Sequence, residues 1–265
     1  CVLPVWHSFE RIVQYIALGS ATTLAYSKPI GKVMLEDMAA IRPKWMASVP
    51  RIWEAVRAGI YRNIKNQGGA KLALFTLFVA VGGVHKQLSD MMRGLVPDFR
   101  PRSRSFDKLI ALLPFLFLYP LKALGDLLVF NKIRARLGGR FVAGVSGGGA
   151  LPPAVDKFFG AAGVLLLEGY GLTETAPVLA VRHQKGPVPG TVGVPLSGTE
   201  CSIRGDDGKD LSAGEMGTIY VRGPQIMKGY YNQPEATDAI LDDEGWLNTG
   251  DLGMLTHRGE LKITG

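Results

Sequence analysis

Two short apolar runs, each ending in a glycine-rich turn, constrain the fold of this chain more than any other feature. Residues 141–145 (FVAGV) precede Ser-Gly-Gly-Gly, and residues 164–167 (VLLL) precede Glu-Gly-Tyr-Gly. A short apolar run bounded by glycine predicts a buried parallel strand. Between the runs, Pro152 and Pro153 suit the start of a helix over residues 154–162. The sequence therefore predicts a strand–loop–helix–strand unit of an α/β fold.

The octet EGYGLTET, residues 168–175, follows the second predicted strand. Ligands of open α/β sheets bind at the carboxyl ends of the strands. The octet supplies two glycines for close backbone approach, an aromatic ring, two hydroxyls and a carboxylate: Gly169, Gly171, Tyr170, Thr173, Thr175 and Glu174. The ring suits stacking on a planar base, the hydroxyls suit phosphate oxygens, and the carboxylate suits magnesium. The octet thus predicts a site for a nucleotide triphosphate with its metal, against the alternative of a threonine-capped turn.

Two further stretches bear on this site. In GWLNTGDLG, residues 245–253, Asp251 follows a predicted Thr-Gly turn. Its carboxylate can accept from two adjacent hydroxyls, as a ribose presents, although aspartate is also a common turn former. The glycine loop at 146–149 is not a dinucleotide fingerprint, because Pro152 occupies the third glycine position, and no G-x-x-x-x-G-K-[ST] motif occurs.

The ordered set SGGGA, YGLTE and TGD resembles the signatures of the adenylate-forming (AMP-binding) superfamily. The resemblance implies that Tyr170 stacks on adenine, Thr173 contacts the α-phosphate and Glu174 holds Mg²⁺. It also implies a ribose contact for Asp251. The remaining nucleotide-site residues that it implies are Gly148, Gly149, Ala150, Glu168, Gly169 and Gly171.

Two other segments resemble bacterial long-chain fatty-acid–CoA ligases: LPVWHSFERI near the start and RPKWMASVPRIWE at 42–54. The resemblance implies an acid–thiol ligase with ATP, a long-chain fatty acid and CoA as substrates, and it places His7 near the acyl carboxylate. A satisfied structural histidine is the alternative for His7. The open alternatives for function are a ligase for another carboxylic acid and a non-catalytic nucleotide-binding or membrane-interaction module.

The resemblance also predicts that the chain is the central part of a longer ligase. No Thr/Ser/Gly-rich phosphate loop precedes LPVWH, and the chain stops at GELKITG, where the family continues into a hinge and a domain with the catalytic lysine. We expect such a fragment to be inactive in isolation. We expect an α/β part at 1–182, with a helical insert at about 52–137, and a β-rich barrel-like part at 183–265, where glycine and proline separate short alternating runs.

Charge is unevenly distributed. Residues 1–140 hold 21 basic and 8 acidic side chains, whereas residues 141–265 hold 9 and 15. A basic cluster lies before the apolar run at 109–121: Arg93, Arg100, Arg102, Arg104 and Lys108. That run is shorter than the ~20 residues of a membrane span. Segment 93–121 therefore predicts either a buried core helix or a peripheral membrane contact. Nucleic acid is not expected, because no binding motif accompanies the charge.

The cysteine and histidine counts bear on disulfide bonds, zinc binding and the cellular compartment. Cys1 and Cys201 lie far apart in the chain, and only four histidines are present. This usage predicts neither a disulfide framework nor a zinc site. It is typical of a reducing compartment, so we expect a cytoplasmic protein, with membrane association as the open alternative.

Overall fold

The computed structural model describes residues 1–265, apart from the side chain of Lys32. The chain forms two compact units. Unit 1 comprises Cys1–Val96 and Ser103–Leu167, and unit 2 comprises Pro97–Arg102 and Glu168–Gly265. The division between the units falls inside a strand. The expected domain boundary at residues 182 and 183, and the helical insert at 52–137, stay predictions.

Unit 1 is built from helices and parallel strands. Its elements are α1 (Ser8–Gly19), α2 (Gly31–Ile41), β1 (Trp45–Ser48), α3 (Pro50–Gln67), α4 (Gly69–Arg93), α5 (Arg104–Gly125), a π-helical turn (Asp126–Phe130), α6 (Asn131–Arg136), β2 (Ala143–Ser146), α7 (Pro153–Ala161) and the first half of β3 (Leu165–Tyr170). Strands β1 and β2 pair in parallel, and β3 follows β2 in the strand order. The predicted strand–loop–helix–strand unit is therefore confirmed as β2, the glycine loop, α7 and β3.

The core of unit 1 centres on one tryptophan. Trp53 of α3 is fully buried, and its ring meets Phe159 of α7 edge-to-face, with ring centroids 5.5 Å apart. Gly144 of β2 lies under the same ring: a Cβ built there would be 2.3 Å from Trp53 Cζ2. Helix α3 can approach the sheet this closely because the strand offers bare backbone at that point.

Helices α4 and α5 pack side by side and run in opposite directions. Phe78, in the first half of α4, contacts Gly125 at the end of α5, and His85 stacks on Phe115 with centroids 4.5 Å apart. Helix α5 continues through Pro114 and Pro120. By length and composition, Gly69–Arg93 and Arg104–Arg136 could each cross a membrane, and only 17% and 6% of their most apolar windows are buried.

Unit 2 is mainly antiparallel. It contains the second half of β3, a 3-10 turn (Thr173–Thr175), β4 (Ala180–Val181), β5 (Glu200–Arg204), β6 (Gly217–Arg222), α8 (Pro234–Asp238), β7 (Leu247–Leu255) and β8 (Leu261–Ile263). Strands β5 to β8 form a sheet in chain order, around a core that includes Ile219, Leu247 and Leu261. The predicted fold class, an α/β part followed by a small antiparallel β part, is confirmed.

Close packing at Gly144 leads to a stability prediction. Gly144→Ala should lower the free energy of unfolding by about 1–3 kcal/mol, the usual cost of overpacking a core, because the new methyl group collides with the Trp53 ring. Gly83→Ala in α4 is the control, since a Cβ there meets nothing within 4 Å. It should raise stability by about 0.5–1 kcal/mol. Urea unfolding measures both, and equal shifts would contradict the packing argument.

Candidate nucleotide-binding site

A bulge in β7 shapes the first part of the site. Residues 218 and 220 of β6 pair with 252 and 248 of β7, so three residues of β7 lie opposite the single residue Ile219. Gly250 in this bulge has φ +74°, which favours glycine. Thr249 Oγ1 donates to the Ile219 carbonyl at 2.9 Å. Asp251 therefore lies in a strand bulge and not in the turn that the sequence predicted, because β7 continues on both sides of it.

The bulge directs Asp251 towards Tyr170 at the end of β3. The Tyr170 hydroxyl donates to Asp251 Oδ2 at 2.6 Å, across 81 residues of sequence. Burial, with the hydrogen bond to Asp251 as the second cause, raises the pKa of Tyr170, so the phenol remains a donor at neutral pH. Asp251 Oδ1 accepts no hydrogen bond from the part of the chain that the structure describes. An aromatic face and a carboxylate oxygen are thus held side by side.

The 3-10 turn gives its two threonines different environments. Thr175 is fully buried, and its Oγ1 bonds the backbone of Leu172 and the carbonyl of Pro177. The expectation that Thr175 offers its hydroxyl to phosphate is therefore wrong, since that hydroxyl caps the turn. Thr173 is exposed, and its hydroxyl has no partner among the described residues. Gly171 is required for the same turn, because a Cβ there would lie 1.8 Å from the Pro177 carbonyl oxygen.

Glu174 has a partner that the sequence did not indicate. The Tyr230 hydroxyl donates to Glu174 Oε1 at 2.8 Å, and this bond raises the pKa of Tyr230. The Met227 amide donates to the Glu174 carbonyl at 2.8 Å, which joins the 3-10 turn to the segment that carries Tyr230. Glu174 Oε2 has no donor among the described residues. Tyr230 stands two residues before Asn232-Gln233-Pro234, and no periodicity or motif marked it.

Glu168, the first residue of the octet, forms a buried ion pair. Its Oε2 is 2.7 Å from Arg182 Nη2, and the two side chains are 11% and 3% exposed. Arg182 Nε also donates to the Thr191 carbonyl. Sequence reasoning missed Arg182, which lies opposite β3 because β3 and β4 pair antiparallel. The proposed nucleotide contact of Glu168 stays a prediction.

The glycine loop and His7 belong to unit 1. Gly148, Gly149 and Ala150 are exposed, and Gly148 has φ +74°. His7 caps α1: its Nδ1 accepts from the Phe9 amide at 3.1 Å. This contact is the structural role that the sequence left open, and the acyl-carboxylate role of His7 stays a prediction.

Two buried hydroxyls lie beside the glycine loop. Ser48 and Ser146 are register partners at the carboxyl ends of β1 and β2, and both are fully buried. Neither Oγ has a hydrogen-bond partner in the described part of the protein. Buried hydroxyls are rarely left unpaired, so this end of the parallel sheet has unmet capacity for a polar ligand or water.

The described residues offer part of a magnesium shell. Among the described residues, no group of three or more His, Cys, Asp or Glu side chains could hold a metal ion. Mg²⁺ is commonly held by one or two carboxylates together with substrate phosphates and waters. Glu174 Oε2 and the Thr173 hydroxyl, both hard oxygen donors on one turn, fit that mode.

Comparison with known proteins places this arrangement in a family. Residues 1–231 match the AMP-binding enzyme family. The chain belongs to the AMP-binding enzymes. Similar proteins include the long-chain-fatty-acid–[acyl-carrier-protein] ligase AEE15 of Arabidopsis thaliana, 35% identical over 96% of this chain and 35% of that protein. They also include the long-chain-fatty-acid–CoA ligase FadD15 of Mycobacterium bovis, 32% identical over 99% of this chain and 38% of that protein.

The fold is that of solved adenylate-forming enzymes. Apo MatB from Rhodopseudomonas palustris superposes with a TM-score of 0.64, at 21% identity, over 100% of this chain and 39% of its own. The chain spans a little over a third of the length of the curated relatives it matches. The resemblance to the AMP-binding superfamily is therefore confirmed, whereas the activity of the whole protein is a matter for proposal.

The buried pair of this AMP-binding enzyme leads to a second prediction. Glu168→Gln should lower the free energy of unfolding by about 3 kcal/mol, because it leaves the Arg182 charge buried without its counter-charge. Glu200→Gln, in the exposed pair with Arg222, should leave the unfolding midpoint nearly unchanged. Unaltered stability of Glu168→Gln together with weaker ATP binding would instead assign Glu168 to the nucleotide.

Proposed function

We propose that the whole protein activates a long-chain fatty acid as its acyl-adenylate and then transfers the acyl group to the thiol of CoA. The single observation that carries this proposal is the 2.6 Å bond between Tyr170 and Asp251, in a unit that also holds Thr173 and Glu174. Membership of the AMP-binding enzymes and the names of the similar ligases support the same chemistry.

The nucleoside contacts follow from this bond. The adenine stacks on the Tyr170 ring, whose orientation is fixed by the hydrogen bond from its hydroxyl. The ribose hydroxyls donate to Asp251, which already holds one oxygen free. Base and ribose are covalently linked in ATP, and the two side chains proposed to bind them, Tyr170 and Asp251, are linked by a hydrogen bond. Gly169 and Gly171 are proposed to line the base through their backbone alone. The nucleotide role of Gly148, Gly149 and Ala150, which belong to unit 1, stays a prediction.

The phosphate contacts lie on the 3-10 turn. Thr173 would donate to an α-phosphate oxygen, and Glu174 would hold Mg²⁺ through Oε2 while Tyr230 fixes Oε1. Bound there, Mg²⁺ would supply positive charge to the phosphate oxygens. The residues of this chain bind and orient the nucleotide; the carboxylate oxygen of the acid forms the new bond to the α-phosphorus, and pyrophosphate leaves. In the second half-reaction the CoA thiolate bonds to the acyl carbon, and AMP leaves.

The acid and the acceptor are the finer parts of the proposal. The names of the similar ligases offer two acceptors, CoA and an acyl carrier protein. Pyrophosphate release by the whole protein, with acids from acetate to palmitate, tests the acid. Thioester formation with CoA and with holo-acyl carrier protein tests the acceptor. Release only with the short acids would show that the substrate is not a long-chain fatty acid. ATP binding without release for any acid would favour a non-catalytic module.

We also propose a peripheral membrane contact through segment 93–121 and a cytoplasmic location. The contact is supported by the exposure of α5: Leu113 and Phe117 are 74% and 79% exposed. The location is supported by the two free cysteines, Cys1 and Cys201.

Asp251→Asn tests the ribose contact. The amide retains one acceptor oxygen, but its nitrogen then faces a hydroxyl. Because a hydrogen bond to a charged group contributes roughly 1.5–3 kcal/mol against about 1 for a neutral one, affinity for ATP should fall about tenfold in the whole protein. The measurement compares the apparent affinities of the wild-type protein and of Asp251→Asn for ATP and for 2′,3′-dideoxy-ATP.

The loss should shrink for the dideoxy nucleotide, which has no hydroxyl pair to offer. Equal losses for both nucleotides would show that the substitution acts through the β7 bulge. Unchanged affinity for both would remove Asp251 from the ribose site.

Tyr230→Phe tests the positioning of Glu174. Loss of the hydroxyl frees the carboxylate to rotate, so the Mg²⁺ concentration for half-maximal pyrophosphate release should rise about tenfold, as for other partners of metal ligands. Tyr231→Phe is the matched control, since Tyr231 is 90% exposed. Glu174→Gln should give a larger loss in the same assay. If Tyr230→Phe leaves the magnesium dependence unaltered, the hydrogen bond between Tyr230 and Glu174 does not position the carboxylate for Mg²⁺.

A further inference from the structure

A cavity of about 310 Å³ lies in unit 1, and its described lining includes no residue of the candidate nucleotide site. Residues of α3, α4, α6 and the π-helical turn line it. Seven of its eleven described lining residues are apolar, among them Ile64, Phe75 and Val129. The volume is at the lower end of the roughly 300–1,000 Å³ range of small-molecule sites. The cavity therefore has the size and the surface for part of an apolar chain.

Three cations surround the cavity. Lys71 comes from α4, and Lys132 and Arg136 come from α6, one turn apart. All three are exposed, and none of the eleven described lining residues is acidic. Within the described part of the chain, none of the three forms an ion pair. By contrast Lys122 and Arg134, close by in sequence, are both bound to Asp126. The rim thus carries unneutralised positive charge above an apolar floor.

The apolar face of α5 leads to the same cavity. Residues 109–121 carry no charged side chain. One stripe of α5 packs on α4, and the large apolar side chains elsewhere on the helix are exposed, including Leu109, Leu113 and Phe117. The exposed row continues through Leu127 to Leu128, which itself lines the cavity. Apolar surface and cationic rim are therefore continuous on one body.

We propose that this surface docks on a membrane that contains lipids with an anionic phosphate headgroup, and that the cavity receives one such lipid. The phosphate lies on Lys71, Lys132 and Arg136, the start of an acyl chain enters the cavity, and α5 lies in the interface with its apolar face among the lipids. The proposal refines the membrane contact proposed above: it assigns the headgroup to three cations outside segment 93–121.

A surface position fits the observations better than a membrane span. The uncharged run of α5 is about 20 Å long at 1.5 Å per residue, against a hydrocarbon core of about 30 Å. Lys108 and Lys122 lie at its two ends. Helix α4, which packs against it, carries the Lys86–Asp90 ion pair at 2.5 Å. A helix in the interface keeps the exposed Lys108 at the polar surface, and it does not carry the Lys86–Asp90 and Lys122–Asp126 ion pairs into the hydrocarbon core.

Vesicle sedimentation of the whole protein tests the proposal. The vesicles are phosphatidylcholine alone and phosphatidylcholine mixed with phosphatidylglycerol. We expect binding to the mixed vesicles only. The triple variant Lys71→Gln, Lys132→Gln, Arg136→Gln should bind them about a hundredfold less, which corresponds to about 1 kcal/mol for each cation. Equal binding to both vesicle types would overturn the proposal.

A matched control separates this rim from net charge. Lys28→Gln, Arg140→Gln and Lys157→Gln remove the same charge from exposed positions of unit 1 that do not line the cavity. This variant should lose less than threefold. Equal losses by the two triple variants would overturn the assignment to the rim. Thermal unfolding of each variant verifies the fold.

The cavity is tested separately from the apolar face. Calorimetry with dihexanoyl-phosphatidylglycerol, below its micelle concentration, should show binding that the Lys71, Lys132, Arg136 variant loses. Leu113→Ser with Phe117→Ser should weaken vesicle binding but retain the soluble lipid. If glycerol 3-phosphate binds as tightly as the lipid, the acyl chain adds no affinity and the proposal that it enters the cavity is overturned. If the protein is a dimer in solution and the Lys71, Lys132, Arg136 variant is a monomer, the surface is a contact between two copies of the chain and not a lipid site.

These assays contain no ATP and no fatty acid. Failure of the lipid site therefore leaves pyrophosphate release as it was. Conversely, if the protein shows no ligase activity, the vesicle-binding result still tests the lipid site, because it does not depend on that activity.

Discussion

The candidate site depends on one mismatch in a β-ladder. Three residues of β7 lie opposite one residue of β6, and the surplus turns Asp251 out of the regular alternation. A regular strand would place its side chain by alternation alone. The bulge instead holds it 2.6 Å from the Tyr170 hydroxyl. Gly250 at φ +74° makes the bulge possible, and the Thr249 hydroxyl satisfies the Ile219 carbonyl that the mismatch affects. The proposed ribose contact thus depends first on the backbone geometry of β7 and only then on the carboxylate of Asp251.

Burial divides the octet into structural and available groups. Thr175 and Gly171 are committed to the turn, one through a buried hydroxyl and one through a backbone approach that excludes any Cβ. Thr173 and Glu174 lie on the same turn, yet each retains an oxygen without a partner among the described residues. The contacts of Thr175 and Gly171 hold the backbone of the turn, and the backbone in turn fixes the positions of Thr173 and Glu174. Such a combination suits a site in which the ligand supplies the missing partners.

The sequence predicted the local elements well because their causes are local. Apolar runs, glycine loops and proline starts were sufficient for β2, α7 and β3, and alternation was sufficient for β5 and β6. The misses have non-local causes. The bulge at Asp251 arises only when β7 pairs with β6, and the burial of Thr175 arises from the Pro177 carbonyl. Tyr230 and Arg182 approach the octet through tertiary contacts that no spacing encodes. In α5, packing against α4 outweighs the low helix propensity of Pro114 and Pro120, which both lie inside the helix.

Two carboxylates of one octet, six residues apart, illustrate why residue type alone could not assign their roles. Glu168 lies in the sheet, where Arg182 neutralises it at 2.7 Å with both side chains almost wholly buried. Desolvation there makes separation of the pair costly, so Glu168 is poorly placed to exchange partners during a reaction. Glu174 lies past the strand end, and its one side-chain partner is a neutral hydroxyl. A neutral donor orients a carboxylate without cancelling its charge. Of the two, only Glu174 therefore retains the charge and the accessibility that a metal-bound phosphate requires.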